Sequence, residues 1–479
     1  MIAVILSSER VTSELSIDFG NISSSEIPIA NQPLINFQCK SLNKFCNNIY
    51  VTRNKDFVKK EYSTEEYIDL HIEENLSLLD LILFILNKFN GKDILILYGD
   101  TLIEYPKDHN YANSTIFLTK DIKIKYPNWL EINEGLFFSG SFYFNEETVS
   151  SLINKKYLDI SELLGSINNL DHYVLSKGNW FDFGHFHTYF NTKKSFLESR
   201  VFNNISITKN GFLRKSSMNI GKMIYEYNWL NQAEKLFPSL VPRVRNLNYI
   251  GNNCFYEVEY FNTPTLSDIF VFGNIDDYSK KEIITNLVRK LKGFQKIKFS
   301  GDVSSKNFLS EKLLDRKQDI LNLNSSHIEI KKIEELISEN VDYFSSKEFE
   351  FIFMHGDYCF SNILYNRRTD EIKLIDPRGF IDIEEGFSIY GPNVYDYFKL
   401  GHSYIALYDN IIAGSNPSDF DMEKMNDRLV FFCKLTEMSR ELILYGMINL
   451  FLSMIPLHSD NLSRQNHFMN LSFKLRNLL

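Results

Sequence analysis

Apolar positions fall into two regimes along the chain. In roughly the first two hundred residues, short apolar runs alternate with stretches of helical spacing. Ile2 to Leu6 is a run of the buried-strand type, and NNIYVTR (residues 47–53) reads as a second strand. Leu78 to Asn90 carries apolar residues at helical intervals, and DILILYGDTLIE (93–104) is a further buried strand that ends on Gly99 and Asp100. GLFFSGSFYF (135–144) adds a strand with a glycine bend, and GNWFDFGHFHTYFN (178–191) carries Asp182. This alternation predicts an α/β domain on a mostly parallel sheet, with ligands at the carboxyl ends of the strands, where Asp100 is placed.

Beyond residue 200 the pattern changes. NNISITKNGFLRKSS (203–217) predicts a hairpin turning at Asn210 and Gly211, and KMIYEYNWLNQAEKLF (222–237) a helix. CFYEVEYFNTPTLSDIF (254–270) predicts a strand passing into a region that is mostly helical to Leu479. One stretch interrupts those helices, FIFMHGDYCFSNILYNRRTDEIKLIDPRGF (351–380). Its apolar run Phe351 to Met354 delivers His355, Gly356 and Asp357, with Asn362 five residues after the aspartate. A second run, Ile372 to Ile375, delivers Asp376, and ILYNRRTDEIKLID predicts a β-hairpin that returns Asp376 beside Asn362. A chain of 479 residues is too long for one core. With no linker rich in proline or glycine and no internal repeat, the boundary is placed between Asn191 and Phe202. The expected domains are 1–195 and 196–479, the second divided into a small α+β lobe (196–262) and a large lobe (263–479).

Composition narrows the function. Hydrophobic residues at 44% and charged residues at 24% are ordinary for a folded globular chain. A net charge of −9 argues against broad electrostatic binding of nucleic acid, without excluding nucleotides. The start, MIAVILSSER, lacks the pattern of a signal peptide, and the apolar stretch Tyr445 to Leu457 is too short to span a bilayer. Five cysteines show no metal-ligand or disulfide-framework spacing, so a reduced, cytoplasmic setting is expected. The 14% of aromatic residues is read as core packing.

Phosphoryl transfer needs few protein groups, since positioning and charge neutralisation do most of the catalysis. One carboxylate takes the proton of the attacking hydroxyl, and oxygen ligands hold the Mg²⁺ ions that bridge the phosphates. Asp357 is the candidate base, and Asn362 and Asp376 are the candidate metal ligands. The His-Gly-Asp start, the Asp-x4-Asn spacing and Ile-Asp with no Phe-Gly after it resemble the aminoglycoside phosphotransferase and choline kinase family, a protein-kinase-like fold. The resemblance implies Mg²⁺ and ATP, with Lys215 on the phosphates and Glu226 holding that lysine. Arg214 remains the rival for the lysine's role, because adjacent strand residues face opposite sides. It also implies a hinge near Glu259 to Phe261 whose backbone meets the adenine edge, and a supporting role for Asp396. Asp382, Glu384 and Glu385 follow Asp376 closely and either face the acceptor or, as the preferred reading, form a solvated loop.

In the first part, AVIL, IPIANQPLI, ILYGD, SGSFYF and WFDFG follow the order of a sugar-phosphate nucleotidyltransferase, a resemblance covering roughly residues 1 to 195. It implies that Asp100 and Asp182 hold the metal on the nucleotide phosphates. That family follows its first strand with a glycine-rich loop containing an arginine and later presents a lysine. Here SSERVTSELSIDFGNISSSE (7–26) holds only Gly20, Arg10 is its sole cation, and Glu26 with its serine neighbours stands near the expected lysine. His185 and His187 are read as surface or packing residues. Together the resemblances imply a kinase for a hydroxyl of a small metabolite, fused to a domain that converts the ester into a nucleoside-diphosphate precursor for surface polysaccharide or head-group decoration. CTP is the first expectation there, with UTP or GTP next. A working kinase beside an inactive binding module, and a non-catalytic scaffold, are the alternatives. Sequence leaves the acceptor and the oligomeric state open.

Overall fold

The computed structural model describes the chain apart from residues 58–64, 74–75, 108, 110, 123–125, 127–128, 154, 198–203, 209, 252, 300–307, 323–326, 379, 384–385 and 415–419. Two compact units result, residues 1–197 with 272–274, and residues 198–271 with 275–479.

The first unit is built on an eight-stranded mixed sheet. From one edge the strands run Asp171–Val174, Thr115–Thr119, Leu136–Phe144, Ile94–Tyr98, Ile2–Leu6, Asn48–Asn54 and Ile68–Ile72, with Glu131–Asn133 against Leu136–Phe144. Ile2–Leu6 lies parallel to both of its neighbours, and all five of its residues are buried. Alternation explains why this run is wholly apolar. Ile2, Val4 and Leu6 pack with Ile82, Ile85 and Leu86 of the helix Leu78–Lys88, whereas Ala3 and Ile5 pack with Ile35, Cys39 and Leu42 of the helix Leu34–Leu42. Leu136–Phe144 runs antiparallel to both strands beside it, so the sheet is mostly but not wholly parallel. Its register shifts between Phe138 and Phe142, where Gly140 takes φ +85° and bends the strand.

The second unit opens with a four-stranded antiparallel sheet in the order Asn204–Ile207, Phe212–Ser217, Asn253–Glu259, Val244–Ile250. Gly211, at φ +77°, turns the first hairpin. The helix Ile220–Leu236 packs on this sheet, and long helices follow, among them Phe308–Leu321, Tyr395–Tyr404 and Arg440–Met454. Within this helical part lies the short hairpin Ile363–Asn366 with Glu371–Leu374. Among the described residues one helical stretch, residues 440–458, is long and apolar enough to cross a membrane, and 67% of it is buried inside the fold. All five cysteines are unpaired. Asp382 lies on the strand Phe380–Ile383, and Glu384 and Glu385 fall outside the described residues.

Gly446 sits where the helices Tyr395–Tyr404 and Arg440–Met454 meet. A Cβ there would stand 2.3–2.5 Å from the ring of the buried Phe398. In an open helix Gly→Ala is stabilising by about 1 kcal/mol, but overpacking a filled core costs about 1–3 kcal/mol. Gly446→Ala is therefore expected to lower stability, read as an earlier denaturant midpoint with an unchanged slope.

Candidate active sites

The turn after the strand Phe351–Phe353 is fixed before it is functional. Gly356 adopts φ +79°, and the Asp396 carboxylate, in the first turn of its helix, accepts the backbone N–H of His355 and of Gly356, each at 2.8 Å. Burial raises the Asp396 pKa to about 7, while those two amides oppose the shift. His355 is wholly buried, and burial lowers its pKa to about 4. Its Nε2 meets the carbonyl of Ile375 at 3.1 Å and its Nδ1 meets the N–H of Asp357 at 3.3 Å. Both contacts are satisfied together by the neutral ring protonated on Nε2.

Asp357 emerges from this turn. Asn362, in the short 3₁₀ turn Phe360–Asn362, donates its Nδ2 to the Asp357 carbonyl and carboxylate at 3.0 Å each, which leaves Oδ1 as the atom able to face a cation. Ile363 pairs with Leu374 across the hairpin, and the Ile375 N–H reaches the Asn362 carbonyl at 3.0 Å. Asp376 therefore follows directly on the strand beside Asn362, in the left-handed region at φ +54°. Lys215 comes from the strand Phe212–Ser217 of the second unit's antiparallel sheet. Its Nζ lies 2.7 Å from Glu226 and 2.8 Å from Asp376. Burial would lower the lysine's pKa, but the two carboxylates outweigh it and push it up to about 12. Arg214, the rival, points the other way and pairs with Glu257 at 2.8 Å.

Two cations that sequence reasoning missed flank Asp357. Lys399 Nζ is 3.0 Å from one carboxylate oxygen, and Arg378 Nε is 3.3 Å from the other. Burial alone would raise the aspartate's pKa, but Lys399 and then Arg378 overcome it and hold the carboxyl well below its usual range. At the expected hinge, the Glu259 N–H is already bonded to the Arg243 carbonyl at 2.9 Å, and its side chain pairs with Arg243. Phe261 lies under Lys373, 5.2 Å from the ring centre.

In the first unit, Asp182 on the strand Trp180–Asp182 lies opposite Thr101, so Asp100 and Asp182 end adjacent strands. A Cβ on Gly184 would be 2.3 Å from one Asp100 oxygen and 3.4 Å from one Asp182 oxygen, so the bare glycine makes room for both carboxylates. Burial, then repulsion from Asp100, raises the Asp182 pKa to about 7, and burial likewise raises that of Asp100. Among the described residues Asp182 Oδ2 is buried with no hydrogen-bond partner. Asp100 lines a cavity of about 190 Å³ with Glu9, Arg10, Thr12, Gly184 and His185. His185 stacks on Tyr126, ring centres 3.7 Å apart, and burial lowers its pKa. Beside His187 is Phe186, with ring centres 5.6 Å apart.

The glycine-poor loop is anchored from below. Ser7 and Ser25 share a hydroxyl contact at 2.6 Å, and Ser24 packs against Gly99 so closely that a Cβ there would stand 2.2 Å from its hydroxyl. Arg53, fully buried on the strand Asn48–Asn54, pairs with Glu26 at 2.8 Å and with Asp69 at 2.9 Å. Sequence gave no sign of this pair, because a lone arginine in a strand pattern carries no motif.

No protein-family model and no curated protein matches the chain. Solved structures do match, in two groups. HddC from Yersinia pseudotuberculosis is 15% identical over 41% of this chain and 99% of its own, with a TM-score of 0.31. A UDP-glucose pyrophosphorylase from Acinetobacter baumannii is 12% identical over 42% of this chain and 95% of its own, with a TM-score of 0.33. A thermostable mutant of the aminoglycoside phosphotransferase APH(4)-Ia is 12% identical over 59% of this chain and 93% of its own, with a TM-score of 0.40.

The acid pair in the first unit has a pH signature. Asp182 binds its proton up to about pH 7 in the fold but only to about pH 4 when unfolded. Between those values the native state holds the extra proton, so stability falls as pH rises through that window and levels off above it. Asp182→Asn is expected to remove part of this slope, measured as melting temperature from pH 5 to 8.5.

Proposed function

We propose that the chain is an ATP-dependent kinase that phosphorylates a hydroxyl of a small metabolite. The observation that carries this reading is the convergence, in one unit, of Lys215, Glu226 and Asp376 through ion pairs, with Asn362 and Asp357 at the base of the same hairpin. Lys215 is suited to the α and β phosphates, with Glu226 holding it in line. Asn362 and Asp376 offer hard oxygen donors of the kind Mg²⁺ takes in small number, completing its shell with phosphate and water. Mg²⁺ would neutralise charge on the phosphates. Asp357, kept ionised by Lys399 and Arg378, orients the acceptor hydroxyl and takes its proton as the bond to phosphorus forms. The adenine edge is assigned to the backbone from Glu259 to Phe261, with Glu259 contributing through groups other than its engaged N–H.

For the amino-terminal domain, residues 1–195, we infer a nucleotidyltransferase-like role that turns the phosphate ester into an activated nucleotide derivative, with CTP the first choice and UTP or GTP next. The buried, unpartnered Asp182 oxygen beside Asp100 suits a divalent cation, which would draw the two carboxylates out of repulsion. Such products feed surface polysaccharide or head-group decoration, a cytoplasmic task. One observation favours a second reading, an active kinase beside a binding module. Of the described residues lining the Asp100 cavity, Arg10 supplies the fixed cation, and the buried Arg53 is neutralised by Glu26 and Asp69. Pyrophosphate release on adding CTP, UTP or GTP to the phosphorylated acceptor supports the first reading, and nucleotide binding without release supports the second.

Asp357→Asn is expected to reduce ADP formation by about 10²–10⁴ at unchanged ATP affinity. An undiminished rate removes Asp357 from the role of base. Lys215→Met is expected to cost about 10²–10³ in kcat/KM for ATP, read in the same coupled assay for ADP.

A further inference from the structure

Four cationic side chains gather about Tyr395 from three separate parts of the second unit, and two of them, Lys399 and Arg378, also touch Asp357. Lys312 and Arg316 stand at i and i+4 on the helix Phe308–Leu321, and so share a face. Tyr395 and Lys399 stand at i and i+4 on the helix Tyr395–Tyr404, and Arg378 comes from the segment just past Asp376. Tyr395 joins the groups. Lys312 Nζ is 2.6 Å from its hydroxyl, and its ring lies within electrostatic reach of Lys399, Arg378 and Arg316.

Among the described residues, the nearby acids are already engaged. Asp357 is in contact with Lys399 and Arg378. Asp396 is committed to two backbone amides, and Asp409 bonds to Ser403 and Ser267. Asp315 neighbours Arg316 in sequence and partly offsets its charge. For Lys312 and Arg316 themselves, the hydrogen-bond partners are neutral, a tyrosine hydroxyl and the Ser453 carbonyl. Burial, together with like charge nearby, lowers the pKa of both, and Lys312 with Lys399 draws the Tyr395 pKa down against the effect of its burial. Half-buried cations without a carboxylate partner are costly unless an anion arrives to pair with them.

We propose that the phosphoryl acceptor is itself an acid, a small hydroxyl compound bearing a carboxylate or phosphate group, and that Lys312 and Arg316 hold that group while Asp357 faces its hydroxyl. This rests on the kinase reading above. Lys399 and Arg378, which touch Asp357, lie nearer the transferred phosphoryl group. Lys312 and Arg316 supply the anion contact one helix further out. Like charge on these side chains would oppose a cationic acceptor, and a neutral one would leave Lys312 and Arg316 desolvated without an anion to pair with.

Two measurements on the full-length protein test this. In the first, inorganic phosphate is titrated calorimetrically into the protein saturated with Mg²⁺ and β,γ-imido-ATP. Binding is expected to persist with the nucleotide in place and to weaken about tenfold or more in Lys312→Met and in Arg316→Met. Lys298→Met, at an exposed pair with Glu350, is expected to change nothing. Phosphate binding that disappears when the analogue is present places the anion in the γ-phosphate position and overturns the proposal, as does binding indifferent to both substitutions. In the second, ADP formation is compared among hydroxy acids and sugar phosphates, neutral sugars and polyols, and amino alcohols. Turnover confined to the acidic set, with KM raised more than kcat is lowered in Arg316→Met, supports the proposal. Preference for a neutral or basic acceptor overturns it and leaves the kinase reading intact. ADP from none of the sets counts against the kinase reading, and the phosphate titration then decides the anion site by itself.

Discussion

One carboxylate sets the geometry on which the larger unit's chemistry depends. Asp396 accepts two consecutive backbone N–H groups, those of His355 and Gly356, and so fixes the turn from which Asp357 projects. Buried amides left without acceptors would cost about 1–3 kcal/mol each, so the two contacts to this carboxylate hold the turn in place. From this anchor the rest is tied in series. His355 binds the Ile375 carbonyl, its own carbonyl accepts the Arg378 N–H, and the Trp229 indole donates to the Met354 carbonyl at 2.7 Å. Trp229 lies on the same helix as Glu226, so the acid that holds Lys215 and the turn that holds Asp357 share one buried frame.

Much of this frame was legible in the sequence, for reasons that can be named. His355 to Asp357, Asn362 and Asp376 lie within 22 residues, on strand ends and turns whose spacing is set locally, so the hairpin could be read from its pattern. The central strand Ile2–Leu6 was legible because both of its faces are covered. Direction within a sheet is not written in such a pattern, and the antiparallel course of Leu136–Phe144 followed from packing between two other strands. The cations around Asp357 were not legible either. Lys312 with Arg316, and Lys399 four residues past Tyr395, have the look of any amphipathic helix until tertiary structure brings the two helices to one place.

In the smaller unit, the loop Ser7 to Glu26 turns several of its polar groups to internal contacts. Serine hydroxyls and the Glu26 carboxylate bind downward, to Ser7 and to Arg53, where a phosphate cradle needs backbone amides and cations turned outward. Asp100 and Asp182 lie side by side, with room made for them by Gly184. On the proposed reading that pair would hold a metal, and Arg10 would be the cation left to meet a leaving group.

The Lys215 ammonium bridges Glu226 and Asp376, and on the proposed reading Asp376 also belongs to a metal. On that reading the carboxylate would be shared between the ammonium and a divalent cation, so a metal at Asp376 would loosen the hold on Lys215 and leave the ammonium to pair with phosphate. Metal and nucleotide would then each favour the other's binding.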